Sequence, residues 1–449
     1  MTGFRVKIGF LVTLVVATSI VSAKQNDKLN IFVTKVSSVV DKDTKRLKSI
    51  FKNIHANPEL GFMEVNTAKI VANELSASGF EVTTDIGKTG VVGVLRNGKG
   101  PTFMFRADMD ANAIEEETGL PYASKVKVKN LDGQDTAVAH MCGHDAHTTW
   151  LISLAKTMSQ MKDYWQGTLV LVAQPAEEPI EGAKAMIDDG LYKKHDIPKP
   201  DYFLAFHTAP VPTGTVVASP GRFNTGSDHI DVTFHGTGGH GSSPHHAKDP
   251  IAMAGMAIMQ FQTIVSRQID PAETGVLTIG SVQGGVDNNV IPTEATLKLK
   301  LHYSNNDVRQ QLVNSIELMS NNIANSYDVP KDMLPTVVYK GYAPAVVNST
   351  EFIHSINQVL AQSNLTNLII DDFQVSGSDD AAALVEGIDR VKIAYMMIGT
   401  ASPKLFSEAQ KAGKEFPFFV HEPTYQVDLD AIPYGGKLAA LLALDTLSK

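Results

Sequence analysis

Thr102-Phe103-Met104-Phe105-Arg106-Ala107-Asp108-Met109-Asp110 is an apolar run that ends in charged residues. The runs from Thr168 to Ala173 and from Tyr202 to Phe206 are equally short and are rich in branched or aromatic side chains. Runs of this kind predict strands of a parallel sheet that is buried on both faces. Because helical patterns separate them, the chain is expected to have an α/β fold.

Polar residues that could take part in chemistry follow each of these runs. Glu177 and Glu178 come after the second run, and His207 comes after the third. In open α/β sheets the functional crevice lies beyond the carboxyl ends of the strands. The three endings are therefore expected to meet at one site.

A second kind of domain is expected between residues 222 and 340. The predicted elements there follow the order strand, helix, strand, strand, helix, strand, which is the order of a ferredoxin-like domain. Residues 348–449 return to long helices and short strands, so the smaller domain is expected to be an insertion. The predicted catalytic domain thus has two parts, residues 24–221 and residues 341–449.

The first 23 residues predict a signal peptide, residues 1–23. Arg5 and Lys7 precede an apolar run from Ile8 to Val21, and Val21-Ser22-Ala23 is a small-residue cleavage pattern. An uncleaved anchor is the alternative, although the run is short for a membrane span. We expect a protein exported to the periplasm or the cell exterior, with no stable membrane span after processing.

The charge balance argues against nucleic acid as a partner. The 449-residue chain has 39 Lys and Arg and 48 Asp and Glu, and loss of Arg5 and Lys7 would leave 37 against 48, a formal charge of −11. A nucleic-acid footprint needs a clustered basic face, which the short basic stretches of this chain do not predict. A small molecule is the expected partner.

The only cysteine lies among several candidate metal ligands, in His140-Met141-Cys142-Gly143-His144-Asp145-Ala146-His147. This segment is expected to be a loop that leads into a helix beginning near Thr148. A free cysteine often packs as a small buried hydrophobe, and that alternative stays open. Imidazoles, carboxylates and a thiolate together are nevertheless a ligand set for transition metal ions.

The pair Glu177 and Glu178 predicts either a metal site or an ordinary solvated loop. Adjacent carboxylates after an extended segment point in different directions, so one can bind a metal ion while the other activates water. His207 alone would be a common strand-end histidine. Its place beside the other candidates favours a ligand role.

Five motifs in the same order give nearly the whole chain after the signal segment a resemblance to the M20 metallopeptidase superfamily. The resemblance is to its amidohydrolase branch of N-acyl-amino-acid, hippurate and indole-acetyl-amino-acid hydrolases. It implies a catalytic domain like those of metal-dependent exopeptidases, with a mostly parallel sheet, and an inserted ferredoxin-like α+β lid or dimerisation domain. The motifs are Arg106-Ala107-Asp108-Met109-Asp110, Cys142-Gly143-His144-Asp145-Ala146-His147, Gln174-Pro175-Ala176-Glu177-Glu178, Gly238-Gly239-His240-Gly241 with Pro244-His245, and Asn289-Val290-Ile291-Pro292.

The resemblance also implies roles for individual residues. Glu177 is implied to be the general base for a metal-activated water. His240 is implied to help stabilise the transition state, often from across a dimer, with Asn289 as a neutral donor near the substrate. Two divalent ions, whether zinc, manganese, cobalt or nickel, are implied to be held by Cys142, His144, Glu178, His207 and His421.

Two segments depart from the pattern of the resembled family. Relatives commonly have Gly-Thr-x-Arg where this chain has Leu299-Lys300-Leu301-His302, and that arginine is a candidate for binding the substrate carboxylate. A histidine lacks the forked, permanently charged donors of arginine, and Lys300 is the alternative if the strand is regular. Ser376-Gly377-Ser378-Asp379-Asp380 replaces Gly-Ala-Glu-Asp-Phe, and loss of the aromatic residue is expected to alter the acyl pocket.

These observations predict a metal-dependent enzyme that hydrolyses the amide bond of N-acyl or aryl-acyl amino acids. A dipeptidase or carboxypeptidase that uses the same metal ions is the near alternative. A non-catalytic binding protein that retains the fold is the alternative from another class. The acyl group, the amino acid, the metal and a homodimeric state are left open by the sequence.

Overall fold

The computed structural model describes the backbone of residues 9–448 and the side chains of residues 27–448. The predicted signal peptide, residues 1–23, therefore lies outside the residues whose side chains are described. Within the described part, no helix has both the length and the apolar character that a membrane crossing needs. The α-helices are α1 (Gly9–Ala56), α2 (Val65–Ala77), α3 (His144–Gln160), α4 (Gly182–Asp188), α5 (Pro250–Arg267), α6 (Asn306–Ser326), α7 (Thr350–Ser363), α8 (Pro403–Lys411) and α9 (Ala431–Leu447).

The strands form one large sheet, one sheet of four strands and several short pairs. Short 3-10 helices lie at Lys162–Tyr164, Pro244–His246, Lys331–Met333 and Asp380–Val385. The strands are β1 (Glu81–Ile86), β2 (Gly90–Asn97), β3 (Thr102–Asp108), β4 (Lys127–Lys129), β5 (Asp135–Ala137), β6 (Gly167–Gln174), β7 (Tyr202–Pro212), β8 (Thr215–Val217), β9 (Gly221–Arg222), β10 (Gly226–His235), β11 (Gly239–His240), β12 (Gly275–Gly284), β13 (Val290–Ile291), β14 (Glu294–Tyr303), β15 (Thr336–Ala343), β16 (Val347–Asn348), β17 (Leu368–Ile370) and β18 (Lys392–Ala401).

The central sheet has the strand order β1-β2-β6-β3-β7-β18-β8-β17 and is mostly parallel. The pairs β3 with β6, β3 with β7 and β7 with β18 are all parallel. Side chains alternate between two apolar layers: Phe103 and Phe105 join one buried cluster, whereas Met104 joins another. A sheet covered on both faces explains the uninterrupted apolar runs, and the α/β prediction is confirmed.

The four-stranded sheet has the order β12-β14-β10-β15, and every neighbouring pair is antiparallel. One face packs against α5 and α6 around Leu297, Leu299 and Leu301, all of which are buried. The other face carries the alternate residues of β14 and is more exposed. The elements β10, α5, β12, β14, α6 and β15 occur in the expected ferredoxin-like order. Their role as a lid or dimerisation domain and the domain bounds stay predictions.

The first helix, α1, buries Phe32, Val36 and Val40, which recur at the spacing of one helical face. The start of another helix differs from the expectation. Helix α3 begins at His144, not near Thr148, because Gly143 with a φ of 85° turns the chain directly into the helix. Its polar first turn is buried between neighbouring elements instead of forming a solvated loop.

Candidate active site

The candidate site lies where β3, β6 and β7 approach the start of α3. Strand β3 ends at Asp108, β6 ends just before the segment with Glu177 and Glu178, and His207 lies within β7. A cavity of about 340 Å³ opens at this position. The residues that line it include Cys142, Glu177, Glu178, His207, Lys300, His302 and His421.

The five expected metal ligands form two groups of three that share Cys142. Within each group the candidate donor atoms lie within 4.8 Å of one another, and the groups are Cys142 with His144 and His207, and Cys142 with Glu178 and His421. The Cys142 Sγ atom is 3.4 Å from His207 Nε2 and 3.3 Å from His421 Nε2. The same His421 nitrogen is 3.3 Å from Glu178 Oε2. A thiolate at Cys142 is therefore placed to contact two cations.

Glu177 lies beside these donors and is almost completely buried. Its Oε2 atom is 3.8 Å from His144 Nε2, and the same nitrogen is 3.8 Å from Glu178 Oε1. The two adjacent glutamates thus point into one space from different directions. In this arrangement one carboxylate can hold a cation while the other takes part in proton transfer.

The carboxylate of Asp110 holds the backbone of the glutamate pair. Its two oxygens accept hydrogen bonds from the N–H groups of Glu177 and Glu178, both at 3.0 Å. The preceding N–H, that of Ala176, donates to Glu64 Oε1 at 2.8 Å, and Ala176 has a φ of 46°. This left-handed backbone is uncommon for a residue with a side chain, and the buried hydrogen bonds hold it in place.

His421 reaches the site from a loop near the carboxyl end of the chain. Its backbone has a φ of 68°, and its N–H donates to the Met141 carbonyl at 2.7 Å. The loop is thus attached to the segment that carries Cys142. About half of the His421 side chain is exposed, at 52%, so this donor lies at the mouth of the cavity.

The donor set fits divalent cations, because two of its buried polar atoms have no hydrogen-bond partner within the described part of the chain. His144 Nε2 and Glu178 Oε1 are buried and have no hydrogen-bond partner among the described residues. Burial lowers the pKa of His207 to about 4, which keeps its ring neutral, as a metal ligand must be. Buried polar atoms without partners are costly, and cations between these donors would remove that cost.

The surroundings raise the pKa of the thiol and of one glutamate but lower the pKa of the other glutamate. Burial and the charge of Glu178 raise the pKa of the Cys142 thiol well above its usual range. Burial opposes ionisation of Glu178, but the hydrogen bond from His421 and the charge of His144 lower its pKa to about 2. Burial and the charge of Asp379 raise the pKa of Glu177 well above its usual range. Divalent cations would favour the thiolate and the carboxylates.

Several supporting residues were not assigned a role from the sequence. The ring of His147 is fixed by Asp108, with Nδ1 to Oδ1 at 2.5 Å, and its Nε2 accepts the N–H of Thr208 at 2.9 Å. Arg106 is fully buried and contacts the carboxylates of Asp108, Asp379 and Asp380. The charged residues from Arg106 to Asp110 at the end of a predicted strand could have indicated that these side chains belong to the site. The contact of Arg106 with Asp379 and Asp380 could not be predicted in this way, because these residues are far apart in the sequence.

His240 and Asn289 lie together but do not line this cavity. Strand β11, which contains His240, pairs with β13, and the N–H of Gly241 donates to the carbonyl of Asn289 at 2.8 Å. The His240 ring is exposed, and its Nδ1 lies 3.1 Å from the N–H of Ser242. Their expected roles at the active site stay predictions.

Comparison with known proteins gives one consistent result. Residues 104–440 match the family described as peptidase family M20/M25/M40. A hippurate hydrolase from Campylobacter jejuni is 40% identical over 314 residues, which is 70% of this chain and 77% of that protein.

Solved structures extend the match to most of the chain. A proposed aminohydrolase from methicillin-resistant Staphylococcus aureus has a TM-score of 0.78 and 30% identity and covers 92% of this chain and 100% of its own. A Bacillus subtilis protein described as a dinuclear metal-binding peptidase of the M20 family has a TM-score of 0.67 and 26% identity, covering 91% of this chain and 99% of its own. The fold and the sequence therefore point to the same group of proteins.

Proposed function

This chain belongs to peptidase family M20/M25/M40, and from that premise we propose that it hydrolyses the amide bond of N-acyl or aryl-acyl amino acids. It is a metal-dependent amidohydrolase or peptidase. The similarity to a hippurate hydrolase supports an acyl amino acid as the substrate. The cavity of about 340 Å³ also supports it, because this volume is at the small end for ligand sites and suits a compact conjugate.

The main support for this proposal is that two groups of donor atoms share Cys142 and lie directly beside the carboxylate of Glu177, which belongs to neither group. We propose that Cys142, His144 and His207 hold one divalent ion and that Cys142, Glu178 and His421 hold the other. The description of the Bacillus subtilis relative as dinuclear supports this count. When bound, such ions supply Lewis-acid stabilisation of negative charge and lower the pKa of water.

Glu177 is the proposed general base. Its buried carboxylate takes a proton from the attacking water and afterwards delivers that proton to the nitrogen of the leaving amino acid. Asp110 fixes the backbone of Glu177 during both transfers, because it accepts the N–H groups of Glu177 and Glu178. The burial of Glu177 keeps bulk water from competing for the proton.

The test is the substitution Glu177→Gln in the metal-loaded protein. General acid and base catalysis contributes about 10²- to 10⁴-fold, so kcat should fall by that factor while bound metal stays unchanged. Glu181→Gln is the matched control, because Glu181 lies in the same segment but does not line the cavity. Undiminished hydrolysis by the Glu177 variant would disprove the proposed base.

Substrate class and metal are tested together by a screen of acyl amino acids and dipeptides after chelation. The protein is reconstituted separately with zinc, manganese, cobalt and nickel. Faster cleavage of dipeptides than of acyl amino acids would favour the peptidase alternative. No turnover with any reconstituted metal would favour the binding-protein alternative.

We also propose that the protein is exported, on the basis of the predicted signal peptide at residues 1–23. Amino-terminal sequencing of the protein from its native cells should find a chain that starts near Lys24. A chain that still begins at Met1 would contradict cleavage.

A further inference from the structure

Lys300 has an unusual position in the cavity. Among the described residues that line it, Lys300 is the only Lys or Arg, and it shares the cavity with the carboxylates of Glu177 and Glu178. It lies on β14, on the opposite face from Leu299 and Leu301, because the strand alternates regularly. The pairing of β14 with β10 continues through this position without a shift of register. The ammonium group is therefore held by a strand and not by a loop.

A histidine on the neighbouring strand orients the Lys300 side chain. Lys300 and His229 are direct partners in the register of β10 and β14, and Lys300 Nζ lies 2.7 Å from His229 Nε2. Burial and the charge of Lys300 lower the pKa of His229 to about 4, so the ring is neutral and accepts this hydrogen bond. An ammonium has three N–H donors, and two of them remain for other partners.

Among the described residues, no carboxylate forms an ion pair with Lys300, although the charges of Glu177 and Glu178 act on it from a longer distance and favour its charged form. The ion pairs found among the described residues do not include it, although Lys340, on β15, pairs with Asp231 at 2.5 Å. Lys300 is half-buried, and burial lowers its pKa because the charged form is poorly solvated. A half-buried cation without a direct ion-pair partner is a favourable place for an anionic group of a ligand.

His302, the other basic residue that β14 contributes to the cavity, is not equipped for the same task. Its Nδ1 lies 3.1 Å from Thr225 Oγ1, and that hydroxyl is also 2.8 Å from the carbonyl oxygen of Ser376. A hydroxyl has one proton, and a carbonyl can only accept, so Thr225 donates to Ser376 and accepts from His302. Burial lowers the pKa of His302, which favours the neutral ring. With Nδ1 protonated, the remaining nitrogen is an acceptor and would repel a carboxylate.

We propose that Lys300, oriented by His229, binds the carboxylate of the amino acid half of the substrate and so selects acyl amino acids with a free carboxyl group. This inference rests on the proposed function. Lys300 is a compact point charge and not a fork, so one carboxylate oxygen suffices for the contact.

The experiment compares an N-acyl amino acid with the same compound whose carboxylate is a primary amide. N-benzoylglycine and N-benzoylglycinamide are the first pair, and the metal-loaded wild type is compared with Lys300→Met and Lys300→Arg. Lys298→Met is the matched control, since Lys298 lies on the same strand face but not in the cavity. Thermal unfolding and metal content show that each variant is folded and loaded.

We expect Lys300→Met to raise KM for the acid about 10- to 100-fold with kcat little changed, because hydrogen bonds to charged groups have this effect. KM for the amide should stay the same in that variant, and Lys300→Arg should restore part of the preference for the acid. Lys298→Met should behave as the wild type. A Lys300→Met variant that keeps the wild-type preference for the acid overturns the proposal.

Failure of the proposed function gives a different result. In that case the wild type cleaves neither compound, and the carboxylate site is judged by equilibrium binding of the same two compounds to the metal-loaded protein. Tighter binding of the acid that is lost in Lys300→Met supports the site. Equal binding of acid and amide by the wild type overturns it.

Discussion

The cavity has two walls that are built differently. The wall from the central sheet carries Cys142, Glu177 and His207, and the backbone N–H groups of Glu177 and Glu178 donate to the Asp110 carboxylate. The wall from the four-stranded sheet carries Lys300 and His302 on a more exposed strand face. The first wall concentrates buried charges that interact with one another, and the second presents two basic groups that each hydrogen-bond to one neighbouring side chain.

We therefore expect the central-sheet wall to serve metal binding and catalysis, and the wall from the four-stranded sheet to serve substrate recognition. A substitution in the central-sheet wall removes a partner from several buried groups at once, so it should affect metal binding, catalysis and stability together. A substitution in the second wall should change one property and leave the fold intact. The following predictions test this separation.

The largest effect is expected for Cys142→Ala, because both donor groups lose their shared atom. Bound metal should fall below two ions per chain, and hydrolysis should fall by more than the roughly 10- to 100-fold typical of residues that only orient a ligand. Metal analysis by mass spectrometry and steady-state kinetics measure the two effects. Ser378→Ala, which also lines the cavity, is the control. Full metal content in the Cys142 variant would show that the thiol has a structural role and does not bind the metal ions.

His240→Ala tests whether the exposed β11 segment serves the active site at all. Loss of one group that stabilises the transition state costs about 10²- to 10³-fold in kcat, and metal content and unfolding temperature should not change. Mixing this variant with Glu177→Gln should recover activity if His240 acts in the site of a partner subunit. Unchanged kcat in His240→Ala would remove His240 from the mechanism.

Asp110→Ala should reduce kcat about 10- to 100-fold, because the backbone of Glu177 and Glu178 and the ring of His144 lose a shared partner. The buried N–H of Glu177 would also lose its acceptor, at a cost of about 1–3 kcal/mol in the free energy of unfolding, and the partly buried N–H of Glu178 would add a smaller cost. Kinetics and denaturant unfolding measure both. Asp110→Asn, which keeps one acceptor oxygen, should show a smaller loss. Equal stability of Asp110→Ala and wild type would contradict the positioning role.

The smallest effect is expected from pH, through the buried contacts of His55. Burial opposes its charge, but Asp145 at 2.6 Å and Glu116 at 3.2 Å raise the pKa of His55 to about 9. The protonated ring therefore stabilises the fold fully below its unfolded pKa of about 6.5, and this contribution disappears as pH rises through about 9.

Denaturant unfolding at pH 7 and pH 10 measures this contribution, which is up to about 3 kcal/mol. His55→Gln should lose stability at pH 7 and should show a weaker dependence on pH over this interval. If the wild type and the variant respond to pH in parallel, the charge of His55 does not contribute.

Strand positions were predictable because the local pattern depends on burial alone. Residues on both faces of β3 are mostly apolar from Thr102 to Arg106, because both faces of this strand are covered. Apolar and polar residues alternate along β14, because only one of its faces is covered. The start of α3 was less predictable. The buried first turn of α3 is polar because its partners, such as Asp108 for His147, lie far away in the sequence.

The candidate site followed from the sequence to the extent that the chemistry is local. Cys142 stands out by its place among several histidines, and Glu177 and Glu178 stand out by their place after a predicted strand. The supporting contacts did not follow, because Asp379 and Asp380 meet Arg106 only when β3 is packed in the folded chain. The orientation of Lys300 by His229 depends likewise on the register between two strands.

The amino-acid sequence by itself determined the α/β class, the order of helices and strands between residues 222 and 340, and the candidate metal ligands, because burial pattern and side-chain chemistry are local properties. Only the tertiary structure decided that Cys142 is shared by two donor groups, that Asp110 holds both glutamates, and that Lys300 and not His302 has free donors. Each of these depends on distances between residues far apart in the chain, which packing of the two sheets establishes.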